Sequence, residues 1–547
     1  MIWIEITNNG FHMTQNAKKI VKIEAEYTPC PIEACQGNPL IEALPDYFSY
    51  TGSDIQDRLA TAPEKPHPDA TFRQRSEWLH QLSFKLFIPL IRHYELYSLV
   101  STLIMQGYEK RRPVTDSYIS MLQMAYHAQK QGSKDKVDYG GSVSADPMSV
   151  SLIGVSGVGK SYALDRLLGS LYPQVIHHNT PELGAVFDQV VYLKTEIPSN
   201  GSVKSMCASL ISELGRVTGN NYAGTISKNI TLERLRIQLE SLFDTHCVGL
   251  IILDEVQNLL VSRSSKEELF NFIVEFSNTI HVPIVFVGTP KILEIRQQGM
   301  RVSRRLGSMG CLQWDRMQYG GRDWKIFIRE LWRYNIMPSK ECEIPSDIEQ
   351  SLYSLSQGIP DLLIKLFILV QERTLACARS LADSGNPVRI YTETIPAVYD
   401  DYFTNVKPMI DILKSGDEEK IAEIEDLSLD EKTFKHAMET EKKKIDEMTD
   451  NDAYREPNSN EVLLELAVNY LRGLKITITA ELKNVMSQYI AKNEEPTLGE
   501  VIKIALNHAI PEAEVTESAR KNVKTTTEKS TEMKLNSSEI PDIDSIE

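Results

Sequence analysis

Residues 149–161 read SVSLIGVSGVGKS, and the fold is decided there. Val150 to Ile153 is an apolar run of strand composition. Gly154-Val155-Ser156-Gly157-Val158-Gly159-Lys160-Ser161 is a glycine-rich loop, and Tyr162 to Leu168 continues with helical periodicity. Strand, loop and helix in that order are the setting of a nucleotide-binding P-loop. Glycines let a backbone close around phosphate with its N–H groups inward. The helix N-terminus adds the positive end of its dipole. The expected nucleotide-binding residues are Gly154, Gly157, Val158, Gly159, Lys160, Ser161 and Tyr162. Lys160 would reach the β- and γ-phosphates and the Ser161 hydroxyl would hold Mg²⁺, so the implied cofactors are ATP and Mg²⁺.

Outward from this loop, Val248-Gly249-Leu250-Ile251-Ile252-Leu253 is a second apolar strand, and it ends in Asp254-Glu255. Open α/β sheets place ligands at the carboxyl ends of their strands. Asp254 would hold Mg²⁺, while Glu255 would orient and deprotonate the attacking water. A further strand, Ile284 to Val287, runs into Gly288-Thr289-Pro290, where Thr289 could sense the γ-phosphate or position the water. Beyond it lies Arg301-Val302-Ser303-Arg304-Arg305. Arg304, or else Arg305, is expected to act from a neighbouring subunit by neutralising transition-state charge. The bland reading of that cluster is a solvated basic surface.

Composition narrows the classes. The 547 residues are 42% hydrophobic, as expected of a chain with globular cores, and the formal net charge is -16. So acidic a surface does not bind polyanions as a whole, and any DNA contact must be local. Lys204 and the modest basic patch of Lys228, Arg234 and Arg236 are the local sites such a contact would use, were DNA the partner. No zinc-finger or homeodomain spacing is present, so base-specific reading is not expected. The seven cysteines form no disulfide framework, and Cys30 with Cys35 lacks the second pair of a zinc site. The opening residues show no basic region followed by an apolar stretch, and no apolar run is long enough to span a membrane. A cytoplasmic protein is expected, with no membrane partner.

The chain divides by composition. Residues 1–72 are turn-rich and read as a partner-docking extension. Within it Asn38-Pro39-Leu40-Ile41-Glu42-Ala43-Leu44-Pro45 is either a short apolar anchor or a surface turn. Residues 73–148 are a helical region followed by a polar hinge. Residues 149–320 alternate strands, including Val190 to Leu193, with helices, which predicts a parallel sheet flanked by helices. Residues 321–405 read as a helical lid, 406–511 as a charged linker with a small helical module, and 512–547 as a disordered tail.

Taken together, G-x₄-GKS, IILDE, VGTP and RVSRR resemble an AAA+ ATPase. NPLIEALP at 38–45, YPQVIHH at 172–178, NGSVK at 200–204, VGTPKILEI at 287–295 and LSQGIPDLLIKLF at 355–367 resemble the TnsC family, the AAA+ regulators of heteromeric bacterial transposons. The likeness spans most of 38–405. It implies ATP-dependent rings or spiral filaments on double-stranded DNA, linking a TnsD- or TniQ-type target selector to TnsA/TnsB-type transposase subunits. It also places Lys160, Ser161, Asp254, Glu255 and Thr289 in the nucleotide roles above, with Arg304 or Arg305 acting across the subunit interface. One departure stands out. Where many AAA+ lids carry an arginine, this chain reads Gly358-Ile359-Pro360-Asp361, with Lys365 the nearest substitute and no arginine before Arg373. The alternative functions are a loader or remodeller of a replication or repair complex, and a nucleotide-gated signalling scaffold that does not use DNA.

Overall fold

The pentapeptides SVSLI, LIILD and IVFVG are buried along their whole length in the computed structural model. That structure describes residues 21–45, 50–109, 111–113, 148–180, 185–199, 202–226, 230–261, 282–292, 308–417, 420–421, 424, 428–449, 459–473, 476–493 and 496–509. Its strands are β1 (Lys22–Glu24), β2 (Ser149–Ile153), β3 (Val175–Thr180), β4 (Ala185–Val190), β5 (Tyr192–Glu196), β6 (Leu250–Asp254), β7 (Ile284–Gly288) and β8 (Cys311–Gln313). Five of them form a wholly parallel sheet in the order β5-β6-β7-β2-β8. One strand, β7, therefore separates the P-loop strand β2 from the acidic strand β6.

Successive side chains on a strand point to opposite faces, so a contiguous apolar run can feed two cores. Val150, Leu152, Leu250, Ile252, Val285 and Val287 enter one core. Ile153, Ile251, Leu253, Ile284 and Phe286 enter the other. Helix Ile91–Glu109 closes the first face through Leu96, Val100, Leu103 and Ile104, and the P-loop helix Lys160–Leu171 joins it through Leu164, Leu167 and Leu168. The second face is closed by Val203–Thr218, through Met206, Leu210, Ile211 and Leu214, and by Leu232–Thr245, through Leu235, Leu239 and Phe243. In each helix these residues recur at three- and four-residue spacing, which turns one apolar stripe toward the sheet.

The run Val190 to Leu193 does not form one strand. Val190 ends β4, and β5 begins at Tyr192. β4 belongs to a separate three-stranded sheet, β1-β3-β4, in which β3 pairs antiparallel with β4 and parallel with β1. The NPLIEALP stretch docks inside its own chain. Asn38 caps the short helix Pro39–Glu42, donates to the Tyr108 and Arg111 carbonyls at 2.8 and 3.1 Å, and leaves Leu40 and Ile41 buried.

Beyond β8 the chain is helical. The segment read as a lid includes Arg322–Trp332, Ser346–Ser356 and the largely buried helix Pro360–Ala376. Against that helix packs Glu431–Thr449, which lies in the stretch read as charged linker. Its Phe434, Ala437, Met438, Ile445 and Met448 form the buried stripe. Ser459–Gly473, Ala480–Lys492 and Leu498–Ala509 share a core of their own around Leu471, Leu482, Met486 and Val501. Among the described residues no helix is long and apolar enough to cross a membrane.

Candidate nucleotide-binding site

The carboxyl edge of the parallel sheet gathers the sequence motifs in one place. β2 delivers the P-loop, β6 delivers Asp254, and β7 ends at Gly288 with Thr289 next to it. Gly157 and Gly159 hold φ of +78° and +92°, a region side-chain-bearing residues rarely adopt. Gly159 is the N-cap of the helix that begins at Lys160. Gly154 is pressed from behind by the chain leaving β8: a Cβ there would stand 2.2 Å from the Trp314 carbonyl oxygen. Val158 is buried beneath the loop, in the core shared with the P-loop helix. Ser161 opens that helix, and Tyr162 is 48% exposed with its ring 5.6 Å from that of Phe87.

Lys160 is 8% exposed and turns back on the loop, donating to the Gly154 and Val155 carbonyls at 2.7 and 3.0 Å. Burial pulls its pKa down to about 8, against the opposing pull of Asp254 and Glu255. A buried ammonium bound to neutral carbonyls gains most from an anion, and a phosphate supplies one.

Asp254 is buried at the end of β6 and forms an ion pair with Lys194 on β5, Nζ to Oδ2 at 3.2 Å. The same ammonium reaches Asp165 at 2.9 Å and the Ser161 carbonyl at 3.3 Å. Lys194 thus ties the acidic strand to the P-loop helix, a role the sequence reading missed. The available signal was a lysine inside the apolar start of β5, a position where a charge needs a partner.

Glu255 stands at φ +57°, in the left-handed region uncommon for a non-glycine residue, and its N–H donates to Asp254 Oδ1 at 3.0 Å. Desolvation, then the Asp254 charge, raises its carboxyl above the ordinary range, while Lys160 and a hydrogen bond from Gln257 oppose the shift. Thr289 is 5% exposed, and its Oγ1 is buried with no hydrogen-bond partner. An orphaned buried hydroxyl beside a P-loop is the donor or acceptor expected where a ligand completes the site. The left-handed glycines, the buried Lys160 and this hydroxyl all fit a nucleoside triphosphate. Ser161 and Asp254 carry oxygen donors of the kind Mg²⁺ would take.

The helical segment read as a lid meets this edge directly. The Asp361 N–H at the start of Pro360–Ala376 donates to the Gly157 carbonyl at 3.3 Å. Neither lid cation named above is free. Lys365 is bound by Asp361 at 2.8 Å and by the Leu429 carbonyl at 2.6 Å. Arg373 is held by Glu441 and Asp401, each at 2.7 Å. Of the expected DNA contacts, Lys204 and Arg234 are exposed at the starts of their helices, and Arg236 pairs with Glu240 at 3.6 Å. Lys228, Arg304 and Arg305 lie outside the described residues.

The family profile described as AAA domain matches residues 145–295, the segment that holds the P-loop, Asp254, Glu255 and Thr289. The fold is an AAA+ P-loop fold. Similar solved structures include ORC1 of Aeropyrum pernix in complex with DNA, 12% identical over 72% of this chain and 82% of that one, with a TM-score of 0.29. A Walker-type ATPase of Pyrococcus abyssi is 14% identical over 59% and 88%, with a TM-score of 0.29. A RuvB variant of Thermotoga maritima is 15% identical over 75% and 94%, with a TM-score of 0.25. No curated protein matches the sequence.

Proposed function

We propose that the chain is an ATPase that assembles on duplex DNA and regulates transposition, linking a TnsD- or TniQ-type target selector to TnsA/TnsB-type transposase subunits. The observation that carries the ATPase reading is the convergence of Lys160, Asp254, Glu255 and Thr289 on one sheet edge. Lys160 turns from its loop carbonyls to the phosphates. Glu255 accepts the proton of the attacking water, helped by a carboxyl whose affinity for protons is already raised. The Thr289 hydroxyl fixes the water or a phosphate oxygen. Ser161 and Asp254 would hold Mg²⁺, which when bound would neutralise phosphate charge.

The oligomeric part of the reading rests on what the lid withholds. With Lys365 and Arg373 both committed to internal carboxylates, transition-state charge is left for a cation from elsewhere. The Arg301 to Arg305 cluster of a neighbouring subunit is the proposed source, Arg304 ahead of Arg305. Duplex DNA is engaged through its backbone by Lys204, Lys228, Arg234 and Arg236, repeated around a ring or filament. The link to transposition rests on the TnsC-like stretches between residues 38 and 367. ATP turnover is measured with and without duplex DNA, and particles are imaged by negative stain under the same conditions. DNA-templated rings or filaments that require ATP are expected. Nucleotide-bound monomers indifferent to DNA would overturn the assembly reading.

A further inference from the structure

Directly after the catalytic pair, Val256–Val261 forms a 3₁₀ turn that carries Gln257. The turn is anchored at Asn258, whose backbone N–H donates to the Glu255 carbonyl at 2.9 Å and whose side chain donates to the Ile197 carbonyl at 2.8 Å. Gln257 then uses both ends of its amide. Nε2 donates to Glu255 Oε2, and Oε1 accepts the Thr289 backbone N–H at 3.1 Å. The slot for Oε1 exists because residue 288 is glycine: a Cβ there would lie 2.4 Å from that oxygen. The Gln amide carries a donor and an acceptor on one plane, and Asn, with the same amide, is one methylene shorter.

We infer that Gln257 is a positioning residue that ties the Glu255 carboxylate to the Thr289 corner, so that the base and the residue at the end of β7 are placed as one unit. Without this tie the Glu255 carboxylate keeps its neighbours Asp254 and Lys160 but loses the hydrogen bond that sets its direction. The Thr289 N–H loses its acceptor at the same time. The inference rests on the reading of Glu255 as the catalytic base, and the test separates the two.

The full chain is compared with Gln257→Leu, which removes both ends of the bridge, and Gln257→Glu, which keeps only an acceptor. Two readouts are taken: steady-state ATP turnover, and amide hydrogen exchange of the peptide containing Thr289 in nucleotide-free protein. Gln257→Leu is expected to lower kcat about 100-fold while KM for ATP stays within about threefold, because direction rather than binding is lost. Exchange at Thr289 should quicken about tenfold as its acceptor disappears. Gln257→Glu should keep Thr289 protected yet lose kcat, since a second carboxylate now faces Glu255. Adding Gln257→Leu to Glu255→Gln should slow turnover no further, as expected of residues acting in series. The inference is overturned if Gln257→Leu keeps kcat within about threefold, if Thr289 exchange is unmoved, or if the losses of the double variant simply add. Turnover by Glu255→Gln at the wild-type rate removes the reading of Glu255 as the base instead, and the exchange result still decides whether the bridge exists.

Discussion

The sheet edge and the lid seam both bury charge, and they treat it in opposite ways. At the seam Arg373 finds Glu441 and Asp401, and Glu441, fully buried, also receives Tyr402 and Lys444. At the edge the buried groups are held by partners that a ligand can replace. Lys160 rests on two carbonyls, Asp254 on a lysine, and Thr289 Oγ1 on nothing. A buried charge matched from within serves structure, because losing one partner strands the other. A buried charge left part-matched marks where chemistry enters from outside.

The sharpest break of this contrast comes at the edge. Lys160→Ala should weaken binding of a fluorescent ATP analogue by about 100-fold, since a charge-assisted phosphate contact disappears from a buried position. Glu255→Gln should bind the analogue as wild type does while turnover falls about 100-fold or more, and it should accumulate the assembled form. Neither change should move the melting temperature appreciably, because these groups serve the ligand. Arg373→Met is the converse. It should leave analogue binding intact and cost roughly 3 kcal/mol of stability, by taking the guanidinium from buried Glu441 and leaving it only Tyr402 and Lys444. A melting curve separates the two classes; Arg373→Met with unchanged stability and lost binding would invert the assignment.

The difference also explains what could be read in advance. β2, β6 and β7 were legible because burial on both faces writes contiguous apolar runs, and the loop and acids sit at their ends. Lys194 was not legible because its meaning depends on register. β5 pairs with β6 so that Lys194 lies opposite Ile252, close enough to Asp254 for its side chain to reach. Gln257 depends on a 3₁₀ turn and on a glycine in another strand. The helix Glu431–Thr449 was hidden by its own chemistry: Glu441 interrupts the apolar stripe of Phe434, Ala437, Met438 and Ile445, and two of its partners, Arg373 and Tyr402, are far away in sequence. The β1–β3 pairing joins residues 22–24 to 175–177, a separation no local pattern reports.

Lys194 tests whether the edge is replaceable as argued. Its ammonium occupies Asp254 Oδ2 and must yield if that carboxylate is to hold Mg²⁺. Lys194→Met should lower the half-saturating Mg²⁺ concentration for nucleotide binding by about fivefold, equivalent to about 1 kcal/mol. An increase instead would show that Lys194 organises the site rather than competing for it.

A second test of the seam carries a pH signature. Glu372 is fully buried, accepts from Ser76 Oγ at 3.0 Å through Oε1, and leaves Oε2 without a partner. Burial pushes its carboxyl up to about 8, with Ser76 and Lys442 opposing and Glu441 and Glu77 adding to the rise. The folded chain therefore holds a proton that the unfolded chain gives up near the ordinary carboxylate value of about 4.3. The sign follows: this contribution is fully present below that value, declines as pH rises toward about 8, and is absent above it. Glu372→Gln keeps the neutral shape and has no proton to lose. Its stability should match wild type at pH near 4.5 and exceed it above pH 8 by on the order of 1–3 kcal/mol. Chemical denaturation of both proteins across that range measures the gap, and a gap that stays constant with pH would show that Glu372 is not the group that titrates.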